Sequence, residues 1–172
     1  MTGKTHLMAG VEASLIYLTA VAQRDFGAPE LTVIQQVISV PLCLAGSLAP
    51  DIDLKTSTVG KETKALSFLI NSIFGHRTFF HSPLLLAMIY LSVNAHIPNF
   101  MWMAIPFIVG AASHLVLDML NRSGIPLLWP IQTRFWALGI KTESAGERMF
   151  FIGLLCVTCI TMVHFLTVIF KT

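Results

Sequence analysis

Apolar and polar residues fall along this chain in long blocks rather than in short alternation. Five apolar blocks stand out, at 7–22, 31–49, 82–97, 99–120 and 149–170, separated by polar or proline-bearing links. A helix that crosses the hydrocarbon core of a bilayer needs about 20 apolar residues, with a range of about 17–25. Three blocks meet that length, while the first and third rely on flanking residues to reach the interfaces. Pro98 leaves a tight link between the third and fourth blocks, so these form an antiparallel hairpin. Residues 23–30 join the first two into another. The pattern predicts an all-α polytopic membrane protein of about five transmembrane helices, two hairpins plus one, forming a single integral membrane domain over 1–172.

The two long links carry structure of their own. In the first, Leu66, Leu69, Ile70 and Ile73 recur at i, i+3, i+4 and i+7 among Lys61, Glu62, Lys64, Ser67 and Asn71, and Gly75 follows. That spacing predicts an amphipathic helix lying in the membrane interface. In the second, Ile125-Pro126-Leu127-Leu128-Trp129-Pro130, with Trp136 nearby, is too apolar for a solvated loop and is expected against the headgroups.

Composition narrows the class further. Hydrophobic residues make up 55% of the chain and charged residues only 12%, against about 25% charged in soluble domains, and mean hydropathy is +0.74. This excludes a disordered chain. A net charge of +2 with scattered basic residues gives no footprint for nucleic acid. Three cysteines cannot build a disulfide scaffold, and Cys156 and Cys159 sit in an apolar block as packing residues, not a redox pair. Nine Lys and Arg lie on the side of the N-terminus and two, Arg24 and Lys171, on the other. The positive-inside rule then puts the N-terminus and both long links in the cytoplasm and the C-terminus outside. Glu12, in the middle of the first block, argues against a cleaved signal peptide.

With that topology, the polar residues at the block ends converge. His6 precedes the first block. Asp51 and Asp53 follow the second, His76, Arg77 and His81 precede the third, and His114 and Asp118 close the fourth. Alternating helix direction brings all eight to the cytoplasmic end. Any one of them alone reads as a capping or interface residue. As a set they do not, because buried His and Asp near a bilayer are costly and functional. His114 and Asp118, four residues apart, share a helix face. Pro50 disfavours a helical Ala49, so Asp51 and Asp53 are expected to be extended and to project to one side. Imidazoles and carboxylates without thiolate suit zinc, or else manganese or iron. The pool of His6, Asp51, Asp53, His76, His81, His114 and Asp118 exceeds one tetrahedral ion. Either some residues orient others or two ions are bound. Ser82 and Pro83 form a good helix start facing this site, which with Arg77 would grip an anion such as phosphate. Arg77 equally fits the positive-inside rule alone. Glu12 is placed to point into the bundle as a base, and His96 and His164 fall near the opposite face.

In their order, His6, Pro50-Asp51-Ile52-Asp53, Gly75-His76-Arg77, His81-Ser82 and Ser113-His114 with Asp118 resemble the LexA-regulated, membrane-bound predicted metal-dependent hydrolases of bacteria. The 124–130 segment is similar to that family's loop, and the resemblance spans about 5–136. It implies a bacterial inner-membrane protein, a hydrolase activity and a link to the DNA-damage response. A looser similarity, in the His-x-x-x-Asp helix, is to zinc-dependent phospholipases C, without their downstream His and Glu ligands.

The expected function is a metal-dependent hydrolase at the cytoplasmic membrane face. It would act on a phosphoester of a lipid-like substrate, with membrane lipids as its surroundings. Arg77 would neutralise phosphoryl charge and Asp53 or Glu12 would serve as base. A metal-ion or solute transporter is the main alternative, although transport sites lie near the midplane. A catalytically silent adaptor held together by its metal is another.

Overall fold

The computed structural model describes residues 1–24, 30–53, 79–127, 129–131 and 133–171. The amphipathic segment with Leu66, Leu69, Ile70 and Ile73, together with His76 and Arg77, lies outside the described residues, as does the side chain of Asp53.

Among the described residues five α-helices carry the fold: α1 Gly3–Gln23, α2 Val33–Leu48, α3 Pro83–His96, α4 Met101–Leu120 and α5 Ala145–Ile169. Among the described residues, four helical stretches are long and apolar enough to cross a membrane, at Gly3–Gln23, Val33–Ile52, Pro98–Leu120 and Ala145–Ile169. Pro83–His96 is a shorter apolar helix, about 21 Å long at 1.5 Å per residue. The expected blocks therefore all become helices. The first is longer than expected because the polar turn Lys4-Thr5-His6 is helical as well.

Helix ends follow local chemistry. Thr32 and Gln35 form a capping box at the start of α2, and the Ser82 hydroxyl accepts the Leu84 N–H at 3.2 Å ahead of Pro83. Pro98–Phe100 turns the α3–α4 hairpin in a single 3₁₀ turn. Arg24 closes α1 in the left-handed region, φ 55°, its N–H bonded to the Ala20 and Val21 carbonyls.

α1 is the hub, packed against α2, α4 and α5. Tyr17, Leu18 and Val21 anchor one end of it among Val40, Ile105, Val109 and Phe165. Ala9 and Met1 meet Leu117, Phe150 and Leu154 at the other. α2 and α4 are pressed backbone to backbone. A Cβ on Gly46 would collide with the Phe107 carbonyl, and one on Gly110 with the Cys43 carbonyl. Small residues at such crossings allow the close approach by which membrane helices associate. By contrast α5 turns most of its side chains outward. Cys156 and Cys159 are free and exposed on it, so they face the surroundings instead of packing as expected, because among the described residues α5 meets only α1 in extended contact.

Two expectations about the links change. Asp51 and Asp53 are not extended: Ala49 stays in the right-handed helical region and Ala49–Asp53 continues α2 as a 3₁₀ helix. The Ala49 N–H reaches both the Ala45 and Gly46 carbonyls. The preference imposed by Pro50 is thereby outweighed at a helix end that keeps its hydrogen bonds. After α4, Ile125–Pro126 pairs antiparallel with Arg134–Phe135. Ile125 is buried within the protein at 2% exposure, while Trp136 remains outward. Gly124, φ 61°, has the Phe135 carbonyl where a Cβ would stand, and only glycine tolerates both conditions.

Candidate metal centre

His6, Asp51, His81, His114 and Asp118 meet at one end of the bundle, and each arrives by a different local device. α1 delivers His6 in its first turns. Its start is held by Glu147, whose Oε1 accepts from the Thr2 N–H at 2.6 Å and the Thr5 hydroxyl at 2.8 Å. The 3₁₀ extension of α2 carries Asp51. A second 3₁₀ turn, Phe79–His81, carries His81 just ahead of α3, with the Phe79 ring edge-on to Trp129 at 5.1 Å. α4 supplies His114 and Asp118 from one face.

His114 is oriented by a backbone carbonyl. Its Nδ1 donates to the Ser47 oxygen at 2.7 Å, which leaves Nε2 as the nitrogen with a lone pair for a cation. Pro50 contributes here. In a 3₁₀ pattern the Ser47 carbonyl would meet the N–H of residue 50, and proline has none. His6 stacks on His114 with ring centroids 3.8 Å apart and 15° between planes. His81 stands edge-on to His114 at 5.3 Å.

The facing donor atoms define a cage. His81 Nε2 lies 3.6 Å from Asp51 Oδ1 and 3.5 Å from Asp118 Oδ2. His114 Nε2 lies 3.8 Å from Asp51 Oδ1 and 3.7 Å from Asp118 Oδ2. These separations exceed the 2.7–3.2 Å of ordinary N–H···O hydrogen bonds. They approach the roughly 3.3–3.4 Å edge of a tetrahedron whose ligands sit at about 2.0–2.1 Å from an ion. Asp118 Oδ1 turns the other way, 3.5 Å from His6 Nε2 and 3.3 Å from the Met1 ammonium. Two overlapping trios, His6–Asp51–His114 and His81–His114–Asp118, bring their ligand atoms within 4.8 Å of one another.

Burial makes this arrangement costly without a cation. His6, His81, His114 and Asp118 have no exposure, and Asp51 retains 14%. Both ring nitrogens of His6 and Nε2 of His114 have no hydrogen-bond partner among the described residues, where an unmet buried polar atom costs about 1–3 kcal/mol. The donor set fits a divalent ion with nitrogen and oxygen preference. His114 has one nitrogen to give, so it serves one trio at a time.

The other expected residues fall elsewhere. Glu12 does not point to the cluster. It accepts a hydrogen bond from the Thr161 hydroxyl of α5 at 2.8 Å, because six residues of helix place it about 120° around α1 from His6. His96 and His164 are exposed, toward the far ends of α3 and α5. Cys43 faces the Gly10 carbonyl at 3.6 Å. The Ser47 carbonyl and Glu147 were absent from the expected set. Ser144-Ala145-Gly146-Glu147 has the spacing of a capping box, a signal that marks Glu147 as a helix-start residue. Its carboxylate reaches α1 as well as the Glu143 N–H, the latter at 2.7 Å. A cavity of about 560 Å³ beside it, lined by Thr2, Lys4, Glu143 and Arg148 among others, includes none of the cluster.

Helices of membrane-crossing length, closing around a buried His/Asp cluster that could hold a metal ion, define a multi-pass helical membrane protein. The chain belongs to the YdjM inner membrane protein family, which it matches over residues 1–170. It is 34% identical over 160 residues to the uncharacterized protein YvsG of Bacillus subtilis (strain 168), covering 92% of each chain. It is 39% identical over 116 residues to the inner membrane protein YdjM of Escherichia coli (strain K12), covering 64% of this chain and 58% of that one. The match to YdjM of Shigella flexneri has the same extent. No solved structure matches.

Proposed function

We propose that this inner membrane protein is a metal-dependent hydrolase. It acts at the cytoplasmic face on a phosphoester of a lipid-like substrate. The observation that carries the reading is His114, pinned through Nδ1 to Ser47 with Nε2 turned toward two carboxylates and His81.

His81, His114, Asp51 and Asp118 would hold the ion, with His6 beside them; zinc fits best, manganese or iron next. Such an ion lowers the pKa of water and polarises the scissile group. The chain's own residues do the rest. The Ser47 carbonyl fixes the His114 tautomer, and the His6 ring limits its rotation. α3 begins next to His81, so the positive end of its dipole lies beside the cage, a setting that favours an anion. Arg77 neutralises phosphoryl charge and Asp53 accepts a proton. With Glu12 bonded to Thr161, it takes no part. The basic links put this end of the bundle in the cytoplasm, at headgroup level.

Metal analysis of detergent-purified protein beside His114→Ala, followed by a panel of phospholipids and phosphoesters, tests the reading. Wild type is expected to carry metal and hydrolyse a phosphorylated lipid, and His114→Ala to lose both. Arg77→Ala is expected to keep its metal and lose activity on the order of 10²-fold, the scale of one lost charge-stabilising donor. Activity unchanged in Arg77→Ala removes the phosphate role. The complete burial of four donors favours one second reading, a structural metal that locks the helices, since catalytic sites keep an open position. Full metal loading with no hydrolysis across the panel would establish it.

A further inference from the structure

A second cavity adjoins the cluster. It measures about 230 Å³, and its lining includes Pro50, Ile52, Phe80, Leu86, Ile89, Phe107 and Ala111. Every one of these side chains is apolar. Its walls are the same segments that carry the metal donors. Pro50 and Ile52 flank Asp51, Phe80 precedes His81, and Ala111 lies one turn before His114 on α4. Phe107 is seven residues from His114, so the cavity reaches about 10 Å along α4 away from the cluster, at 1.5 Å per residue.

The helix packing explains why the space exists. α2 is pressed onto α4 through Gly46 and Gly110, and α3 packs along α4 as its hairpin partner. α2 and α3 make no extended contact with each other among the described residues. The α4 face between them, at Phe107 and Ala111, is therefore left with a cleft over it. Asp51 is the one donor of the five with any exposure, and it sits between two residues of this wall. None of the five donors lines the cleft itself, but its walls include the chain neighbours of Asp51 and His81.

We propose that the cleft holds one hydrocarbon chain of the substrate, threaded between α2 and α3 so that a phosphate ester at its end meets the donor cage. The inference rests on the hydrolase reading and makes its substrate a membrane lipid rather than a soluble phosphoester. Burying apolar chain against apolar walls contributes about 25 cal/mol per Å² and fixes the headgroup at one depth. The volume is below the roughly 300–1,000 Å³ of sites that enclose a whole drug-sized molecule, which suits one chain and not two.

The test uses full-length protein in phosphatidylcholine–phosphatidylglycerol nanodiscs. The probe is phosphatidic acid carrying a diazirine midway along one acyl chain, and cross-linked residues are mapped by mass spectrometry. Cross-links are expected at Leu86, Ile89 and Phe107, and Leu86→Trp is expected to reduce them several-fold with bound metal unchanged. Competition with unlabelled phosphatidic acid or with a polyprenyl phosphate tells which source of chain the cleft takes. Displacement by neither overturns the proposal. So do cross-links confined to outward positions of α5, such as Val157 and Val163, a pattern that general lipid contact would give. Metal content is measured on the same samples. Metal present with no cleft labelling rejects the cleft alone, whereas cleft labelling without metal rejects the hydrolase reading alone.

Discussion

Pro50 has neither a donor nor a charge, yet its place three residues after Ser47 decides what the Ser47 carbonyl meets. Without an N–H at position 50, that oxygen accepts from His114 Nδ1, and the ring presents Nε2 to Asp51 and Asp118. Pro50→Ala supplies a competing N–H and is expected to weaken metal binding about 10–100-fold, the usual effect of losing an orienting partner. Chelator competition measures it, and unchanged affinity would mean that the carbonyl does not set the ring. His96→Ala and His164→Ala are expected to retain full metal content, since both residues are exposed and away from the cage. Metal loss in either, with the fold intact, would contradict the placement of α3 and α5. Neither the carbonyl nor the stacking of His6 on His114 is legible in a sequence, because a backbone oxygen has no residue letter and a stack depends on the helix crossing. The residue types of the cage are legible, since polar groups at the ends of apolar blocks stand out against their surroundings.

For the helices, existence and order follow from the apolar blocks, while the direction a given side chain faces does not. Glu12 shows the limit. Its depth in α1 is countable from the sequence, but the neighbour on its side of the helix is set by tertiary packing, which places α5 and Thr161 there. Asp51 shows another. A rule about the residue before proline describes an average chain, and α2 overrides it by extending into a 3₁₀ turn with its carbonyls capped. The crossing of α2 and α4 is the most sensitive contact between elements. Gly110→Ala places a methyl group against the Cys43 backbone, which has no rotamer with which to yield. The expected loss is about 1–3 kcal/mol, read as a lower thermal midpoint in detergent. Ala112→Ser, two residues on, on the other side of the same helix and only half-buried, serves as the control with little change. A stable Gly110→Ala protein would mean the two helices are not in direct backbone contact.

For the whole molecule, the donors come from four stretches of chain that are far apart in sequence and meet only if the helices alternate across the bilayer. Reporter fusions at Gly60 and Lys141 are expected to read cytoplasmic, and one at Lys171 periplasmic. A periplasmic signal at Gly60 would reverse the proposed orientation and move the chemistry to the other face of the membrane.

The bond between Glu12 and Thr161 also bears on how the protein is made. α1 leaves the ribosome before α5, so the side chain of Glu12 enters the membrane before the Thr161 hydroxyl that it will accept from has been synthesised. A carboxylate held in hydrocarbon without a partner is unfavourable by several kcal/mol. α1 therefore completes this contact only once α5 has joined it, so the helix at the centre of the finished bundle relies on a partner made well after it.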